Sequence, residues 1–346
     1  MKKIIIILPY FGKLPNYFKF FLESCRKNDT IDFLIITDNT IKCNSSNINI
    51  INCSFDEIKR KIQSKFQYEI SLERPYKLCD YRLFYGYIFN EYIKNYDFWG
   101  FCDCDLIFGN IRKFITEDIL EKYSYILSLG HFHLSKNNDE SLEKILNSYI
   151  SNKGYDIKYI LSHDTNYTID ELPFGIPYWY YKQFPSLFYS GFYKDKRIYD
   201  SITNVYIRFV DTYNCGFELK QKYQKTMYYQ YKTLIPFWER SFNKIYKTNI
   251  IYEYNNGQLY RNFINKYTNQ NEKEELLYVH FYKRKLEIEC NNLSRYIISP
   301  NIIKEYKNIT PSLLKKLNSP YQFFKLYLKK KKEKAITKIK IIIKSK

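Results

Sequence analysis

Tyr96-Asp97-Phe98-Trp99-Gly100-Phe101-Cys102-Asp103-Cys104-Asp105-Leu106-Ile107-Phe108-Gly109 is the stretch around which the rest of the chain is organised. Phe98, Trp99 and Phe101 are good strand formers, so the segment up to Cys102 reads as a buried strand. Asp97, just before it, reads as a cap. With the backbone extended through Asp105, side chains two apart share a face, which would aim Asp103 and Asp105 together and turn Cys102 and Cys104 the other way, into packing. Two carboxylates held so close repel unless positive charge sits between them. A hard divalent cation, magnesium or manganese, suits such oxygen ligands.

Working outward toward the N-terminus, residues 4–8 (Ile-Ile-Ile-Ile-Leu) read as a first buried parallel strand, with Pro9-Tyr10-Phe11-Gly12 as the loop at its carboxyl end. The basic-then-apolar start mimics a signal peptide, but the run stops at Pro9 and no small-residue cleavage site follows. Residues 17–27 have helical spacing, with Phe18, Phe21, Leu22 and Cys25 on one stripe. Residues 31–36 form a second strand ending at Thr37-Asp38-Asn39, residues 48–53 a third, and residues 55–66 a helix. This alternation predicts an α/β fold with a mostly parallel sheet covered on both sides. In such sheets ligands bind beyond the carboxyl ends of the strands, where Tyr10, Gly12, Thr37, Asp38 and the Asp103/Asp105 pair all fall.

On either side of the central stretch, residues 76–92 read as a helix entered after Pro75. Lys77, Asp80 and Arg82 lie near its start, where backbone N–H groups favour anions. Residues 124–129 are a further strand leading to Gly130-His131-Phe132-His133, whose histidines are either a pocket wall, metal ligands or structural. Residues 142–151 read as helical and 159–169 as poorly patterned, with Asp164 a secondary acidic candidate. Asp170-Glu171 is then an acidic pair beside a glycine-containing turn. Residues 185–211 and 224–238 are aromatic and irregular. Asn256-Gly257 is a hairpin signal. Residues 276–281 are the last expected strand, running into Tyr282-Lys283-Arg284, and residues 298–317 read as helical with a break at Pro311.

An Asp-X-Asp at a strand end, led by aromatics, resembles the metal-diphosphate motif of GT-A glycosyltransferases. The wider wording Tyr76-Lys77-Leu78-Cys79-Asp80-Tyr81-Arg82, Gly86-Tyr87-Ile88-Phe89, the stretch 96–109 and Arg112-Lys113-Phe114 is similar to a family of bacterial polysaccharide-biosynthesis glycosyltransferases. The resemblance covers roughly residues 1–285 and is strongest between 76 and 136. It implies a GT-A-like, Rossmann-type domain over 1–285, with a nucleotide-sugar half to about 130 and an acceptor half over 131–285. The expected donor is a nucleotide diphosphate sugar, UDP-linked, and the acceptor a lipid-linked or growing surface glycan of capsule or lipopolysaccharide type.

The same resemblance implies roles. Asp103 and Asp105 hold manganese or magnesium. Tyr10, Gly12, Thr37, Asp38, Lys77, Asp80 and Arg82 border the nucleotide. Val279-His280-Phe281-Tyr282-Lys283-Arg284 resembles a C-terminal element of Asp-X-Asp transferases, in which the imidazole completes the metal shell and the basic pair meets phosphate. Asp170 or Glu171 is the acceptor-side carboxylate, a general base if the transfer inverts and not needed as one if it retains.

Composition sets the outer limits. The chain has 346 residues, 45% hydrophobic, enough for a sizeable core and one large or two small domains. Its formal charge of +19 points to an anionic partner: a nucleotide diphosphate, an acidic lipid surface or nucleic acid. Eight cysteines without a paired Cys-X-X-Cys argue against a disulfide scaffold and for reduced, buried thiols in a cytoplasmic protein. The 38 tyrosines fit the biased composition of an AT-rich genome. No stretch reaches the roughly 18 apolar residues of a membrane span. Residues 286–346 read as a helical basic extension, and over 325–346 lysines alternate with apolar residues, as in segments that lie on an anionic inner membrane face. Two other classes fit parts of the pattern: a metal-dependent phosphodiesterase or nuclease, which would want more acids or histidines than the four histidines here, and a nucleic-acid-binding protein, for which no helix-turn-helix, RNP or zinc-finger wording is present.

Overall fold

The structure, a computed structural model, describes residues 1–137, 140, 146–151, 153–170, 176, 188–189, 209–211, 247–265, 267–281, 286–299, 302–318 and 336. The chain divides into two compact units, Met1–Tyr206 and Ile207–Lys346.

In the first unit, strands β1 (Ile4–Tyr10), β2 (Asp32–Thr37), β3 (Ile48–Asn52) and β4 (Phe98–Cys102) alternate with helices α1 (Phe18–Arg26) and α2 (Phe55–Gln63). β3, β2, β1 and β4 lie side by side and all parallel. β1 is therefore flanked by β2 on one side and β4 on the other, so the strand order reverses between β1 and β4. Beyond β4 the sheet turns antiparallel through β7 (Phe132–Lys136) and β6 (Tyr125–Leu129), and β6 pairs in parallel with β8 (Phe188–Tyr189). The unit is thus a mixed α/β sheet with a parallel half.

The reason lies in the residue pattern. Ile4, Ile5, Ile6, Ile7 and Leu8 are all buried, as a strand covered on both faces requires. Each isoleucine so buried contributes about 1.5–3 kcal/mol. One face packs Ile5, Ile7, Leu34 and Ile36 against Ile58 and Ile62 of α2 and against Leu78, Tyr81 and Phe84. On α1, Phe21 meets Phe108 at 6.2 Å, and Phe108 meets Phe33 of β2 at 6.1 Å. α2 starts in a capping box: Ser54 Oγ accepts from the Glu57 amide and Glu57 accepts from the Ser54 amide.

Two local expectations change. Residues 76–92 are not one α-helix: Pro75–Phe84 is a 3-10 helix, followed by the short α-helices Tyr85–Ile88 and Asn90–Ile93. Of residues 159–169, expected to be poorly patterned, the first four belong to the helix Ile157–Ser162, which Asp156 caps. Asp97, just before β4, accepts from the Lys3 amide with its Oδ2 at 2.8 Å and so ties the start of β1 to that of β4.

In the second unit, β10 (Lys247–Asn255) and β11 (Gln258–Asn265) form the expected hairpin. Asn256 and Gly257 both take positive φ, 48° and 88°, as a two-residue primed turn demands. The hairpin is the middle of a six-stranded sheet completed by β12 (Asn271–Leu276), β15 (Arg295–Ser299), β16 (Ile302–Lys304) and β14 (Glu287–Glu289). This corrects the helical reading of residues 286–317: they supply three strands to that sheet before the helix Pro311–Leu317. Ile297, Ile298 and Ile303 bury as sheet residues. Elsewhere in this unit β13 (Tyr278–His280) pairs in parallel with β9 (Phe209–Asp211). The basic segment 325–346 lies, apart from Ile336, outside the described residues. Among the described residues no helix is long and apolar enough to cross a membrane.

Candidate active site

The carboxylate pair sits where β4 ends. The strand stops at Cys102, Cys104-Asp105 make a turn, and β5 (Leu106–Phe108) follows, so the backbone is not extended through Asp105 as the sequence suggests. The packing side of the expectation holds: Cys102 and Cys104 are both buried. Burial, then the neighbouring Asp103, pushes the Cys102 thiol well up; burial, then Asp105, does the same to Cys104. The turn thus carries two buried thiols and two carboxylates, and the oxygen donors it offers are Asp103 and Asp105. The Asp103 amide donates to the His131 carbonyl at 2.9 Å, and Asn28 accepts from the Ile111 amide at 2.8 Å, fixing the turn from both sides.

Across the parallel half, β1 and β2 bring up the next group. Gly12 has φ +93°, a conformation that favours glycine, and its amide donates to both oxygens of Asp38 at 3.0 and 3.1 Å. Asn39 Nδ2 bonds the Gly12 carbonyl at 2.8 Å and Thr37 Oγ1 at 3.0 Å. The β1 and β2 ends therefore form one hydrogen-bonded rim. Tyr10 joins it to the β4 turn: its phenol is pushed up to about 12 by burial first, then by Cys104, Asp105 and Asp38.

Arg82 is the hub on the other side. Its Nη2 bonds Asp103 Oδ1, and its Nη1 bonds the Gly130 carbonyl and, at 3.1 Å, Asp170 Oδ2. The guanidinium also lies 5.6 Å over the Phe101 ring. Burial alone would lower its pKa, but Asp103, Cys79 and Asp170 raise it well above the ordinary value. Arg82 is thus a fixed cation, and it joins two acidic residues that sequence reasoning had listed apart. Asp170 is buried. Nothing local in the sequence announces this link, because the partners are 88 residues apart.

Lys77 and Asp80 correct another expectation. Both side chains are 0% exposed and bond each other at 2.8 Å. Lys77 Nζ also donates to the carbonyls of Ile160 at 2.9 Å and Thr165 at 2.7 Å, which takes up the three ammonium protons. Asp80 accepts from the amides of Tyr167 and Thr168. The pair faces a protein loop, not a ligand. Asp164 pairs at the surface with Arg74.

His133 belongs to the core: it is buried, bonds Ser135 Oγ at 2.7 Å and lies 4.1 Å from the Tyr125 ring. In the second unit, His280 ends β13, buried and in register with Asp211. Glu171, Lys283 and Arg284 lie outside the described residues.

Among solved structures, the galactosyltransferase LgtC in complex with donor and acceptor sugar analogues aligns with 58% of this chain and 69% of its own, at 16% identity and a TM-score of 0.22. An active-site mutant of LgtC aligns over the same shares, at 14% identity and a TM-score of 0.21. Overlaps this slight assign neither fold nor activity. No curated protein matches the chain. Residues 6–307 match a family described as a family of unknown function (DUF6625), and the chain belongs to that family.

Proposed function

We infer that this protein is a divalent-metal-dependent glycosyltransferase of GT-A-like architecture, taking its sugar from a nucleotide diphosphate donor. The observation that carries the reading is the place of the Asp103/Asp105 turn: it closes β4 at the point where the strand order reverses against β1, the crevice in which open α/β sheets bind ligands. The rim of Tyr10, Gly12, Thr37 and Asp38 occupies the neighbouring strand ends and serves the nucleoside, with the Asp38 carboxylate suited to a ribose hydroxyl.

Asp103 and Asp105 offer carboxylate oxygens, which suit manganese or magnesium, and the wording Val279-His280-Phe281-Tyr282-Lys283-Arg284 makes His280 of the second unit the candidate for a further ligand to manganese. When bound, such a cation acts as a Lewis acid on the diphosphate leaving group. The chain's own residues do the rest. Arg82 holds Asp103 and Asp170 in fixed relation and adds positive charge beside them. On the sequence resemblance, Lys283 and Arg284 are the basic pair that would meet phosphate. Asp170, or Glu171 beside it, positions the acceptor hydroxyl and takes its proton in an inverting transfer. The acceptor is a surface glycan or lipid-linked saccharide, met at the inner membrane face.

A panel of nucleotide sugars with and without manganese or magnesium tests the reading by thermal unfolding. A rise in Tm that needs both donor and metal is expected, because binding to the native state stabilises it. A panel in which no nucleotide sugar raises Tm with either metal overturns it.

A further inference from the structure

We propose that the buried Lys77–Asp80 pair is a positioning device for Asp170, acting through the loop that joins helix Ile157–Ser162 to Ile169. The inference rests on the glycosyl-transfer reading only for the task given to Asp170.

The geometry is a chain of bonds. In a 3-10 helix residues three apart eclipse, so Lys77 and Asp80 stand side by side on Pro75–Phe84. Lys77 grips the helix end by the Ile160 carbonyl and the loop by the Thr165 carbonyl, and Asp80 grips the loop by two amides, Tyr167 and Thr168. Three further contacts close on the helix end and the loop. The Tyr81 hydroxyl donates to the Leu161 carbonyl at 3.0 Å, the Ser71 amide donates to that carbonyl at 2.7 Å, and Arg74 Nη2 donates to the Asp164 carbonyl at 2.7 Å.

The loop pays locally for this hold. Thr168 is exposed, yet its φ is +50°, a left-handed conformation that a β-branched residue adopts only when its surroundings impose it. What imposes it is the Asp80 Oδ1 bond to its amide at 3.0 Å. Two residues on, Asp170 meets Arg82, which also carries Asp103. Arg82 itself belongs to the 3-10 helix that carries Lys77 and Asp80. One short helix therefore holds both the loop leading into Asp170 and the cation that Asp170 meets. A fold that needed only to seal this edge would satisfy the pair with apolar side chains; a buried ion pair is weak as a source of stability but strict in geometry.

The experiment uses the full chain with Lys77→Met/Asp80→Asn, which removes the pair without stranding one buried charge, and separately Thr168→Pro, which forbids the positive φ and deletes one amide bonded to Asp80 while leaving both members of the pair in place. Two readouts are taken on protein whose near-UV circular dichroism is native. The first is metal-dependent donor turnover, split into kcat and KM. The second is hydrogen exchange at the Ile176 amide, which bonds the Ile169 carbonyl at 2.8 Å and so reports where residue 169 sits. The expected result is kcat lower by about a hundredfold, as for a reacting group displaced by roughly 1 Å, with donor KM and metal requirement unchanged, and faster exchange at Ile176 in both variants. Wild-type kcat in a variant that folds, or unchanged exchange at Ile176, overturns the proposal. Should the wild-type protein turn over no donor, the transferase reading fails by itself, and exchange at Ile176 still decides whether the pair places Asp170. Should the double variant fail to fold, Thr168→Pro alone decides both readouts.

Discussion

At the scale of single residues, what the sequence shows depends on how far apart the partners are. Asp103 and Asp105 stand out in the sequence because two carboxylates one residue apart at a strand end repel unless positive charge is near, a local cost, and Arg82 supplies such charge to Asp103. From it follows an expected outcome: Asp105→Asn keeps the fold but abolishes the manganese-dependent Tm rise with nucleotide sugar. Isothermal titration with manganese is the direct check, and retention of full metal-dependent stabilisation would sink the assignment. Arg82 was legible as a cation and its role as hub was not, because its bond to Asp170 spans 88 residues. Lys77 and Asp80 were misread for a related reason. Charges three apart on a helix usually mark a solvated face, and only the tertiary approach of residues 160–168 buries them.

At the scale of elements, the first three strands and two helices follow from the sequence because runs such as residues 4–8 and 31–36 permit one buried-strand reading, and the hairpin at Asn256-Gly257 because few other residue pairs take two positive φ values. The reading failed where propensity was indifferent: the aromatic run 76–92 has no strong helical stripe, and Ile297-Ile298 and Ile302-Ile303 fit strand or helix until β10 and its neighbours supply a sheet to join. Two measurements probe elements directly. Gly100 lies in the middle of β4, where an added Cβ would stand 2.1 Å from the His133 carbonyl oxygen and 2.6 Å from Leu134 Cδ2. Backbone on β7 cannot yield without breaking the β4–β7 ladder, so Gly100→Ala should cost at least the 1–3 kcal/mol of ordinary overpacking in a urea titration. Ser54→Ala should cost about 1 kcal/mol by removing the α2 cap. The pH sign is definite as well. The bonds from Ser54 hold the Glu57 pKa below its ordinary value, so the contribution is present above the unfolded pKa and fades as pH falls through it toward the depressed folded value. The gap between wild type and Ser54→Ala should therefore narrow in acid from about pH 4 downward.

At the scale of the whole molecule, the excess charge is unevenly spread along the chain, and that is visible only in the sequence. The formal charge is +19, and the run 325–346 contributes lysines at 325, 329–332, 334, 338, 340, 344 and 346 against the single acid Glu333. Leu326, Leu328, Ile336, Ile339 and Ile341 to Ile343 interleave with them. A lysine near an anionic surface contributes about 1 kcal/mol, so the lysine block 329–332 together with the apolar side chains inserted between headgroups is enough for reversible attachment without a membrane span. Attachment of that kind would bring a transferase to a lipid-linked acceptor, and screening would weaken it, since the Debye length shrinks from about 10 Å at 0.1 M salt to about 3 Å at 1 M. Removal of residues 326–346 should therefore release the protein from vesicles containing anionic phospholipid while leaving turnover of donor with a soluble acceptor within about twofold of wild type, because none of the residues proposed for metal or nucleotide lies in that segment. Co-sedimentation of full-length and truncated protein at low and high salt makes the comparison. Binding of the full-length form at low salt alone fits the anchor; equal sedimentation of both forms, or none of either, rules it out.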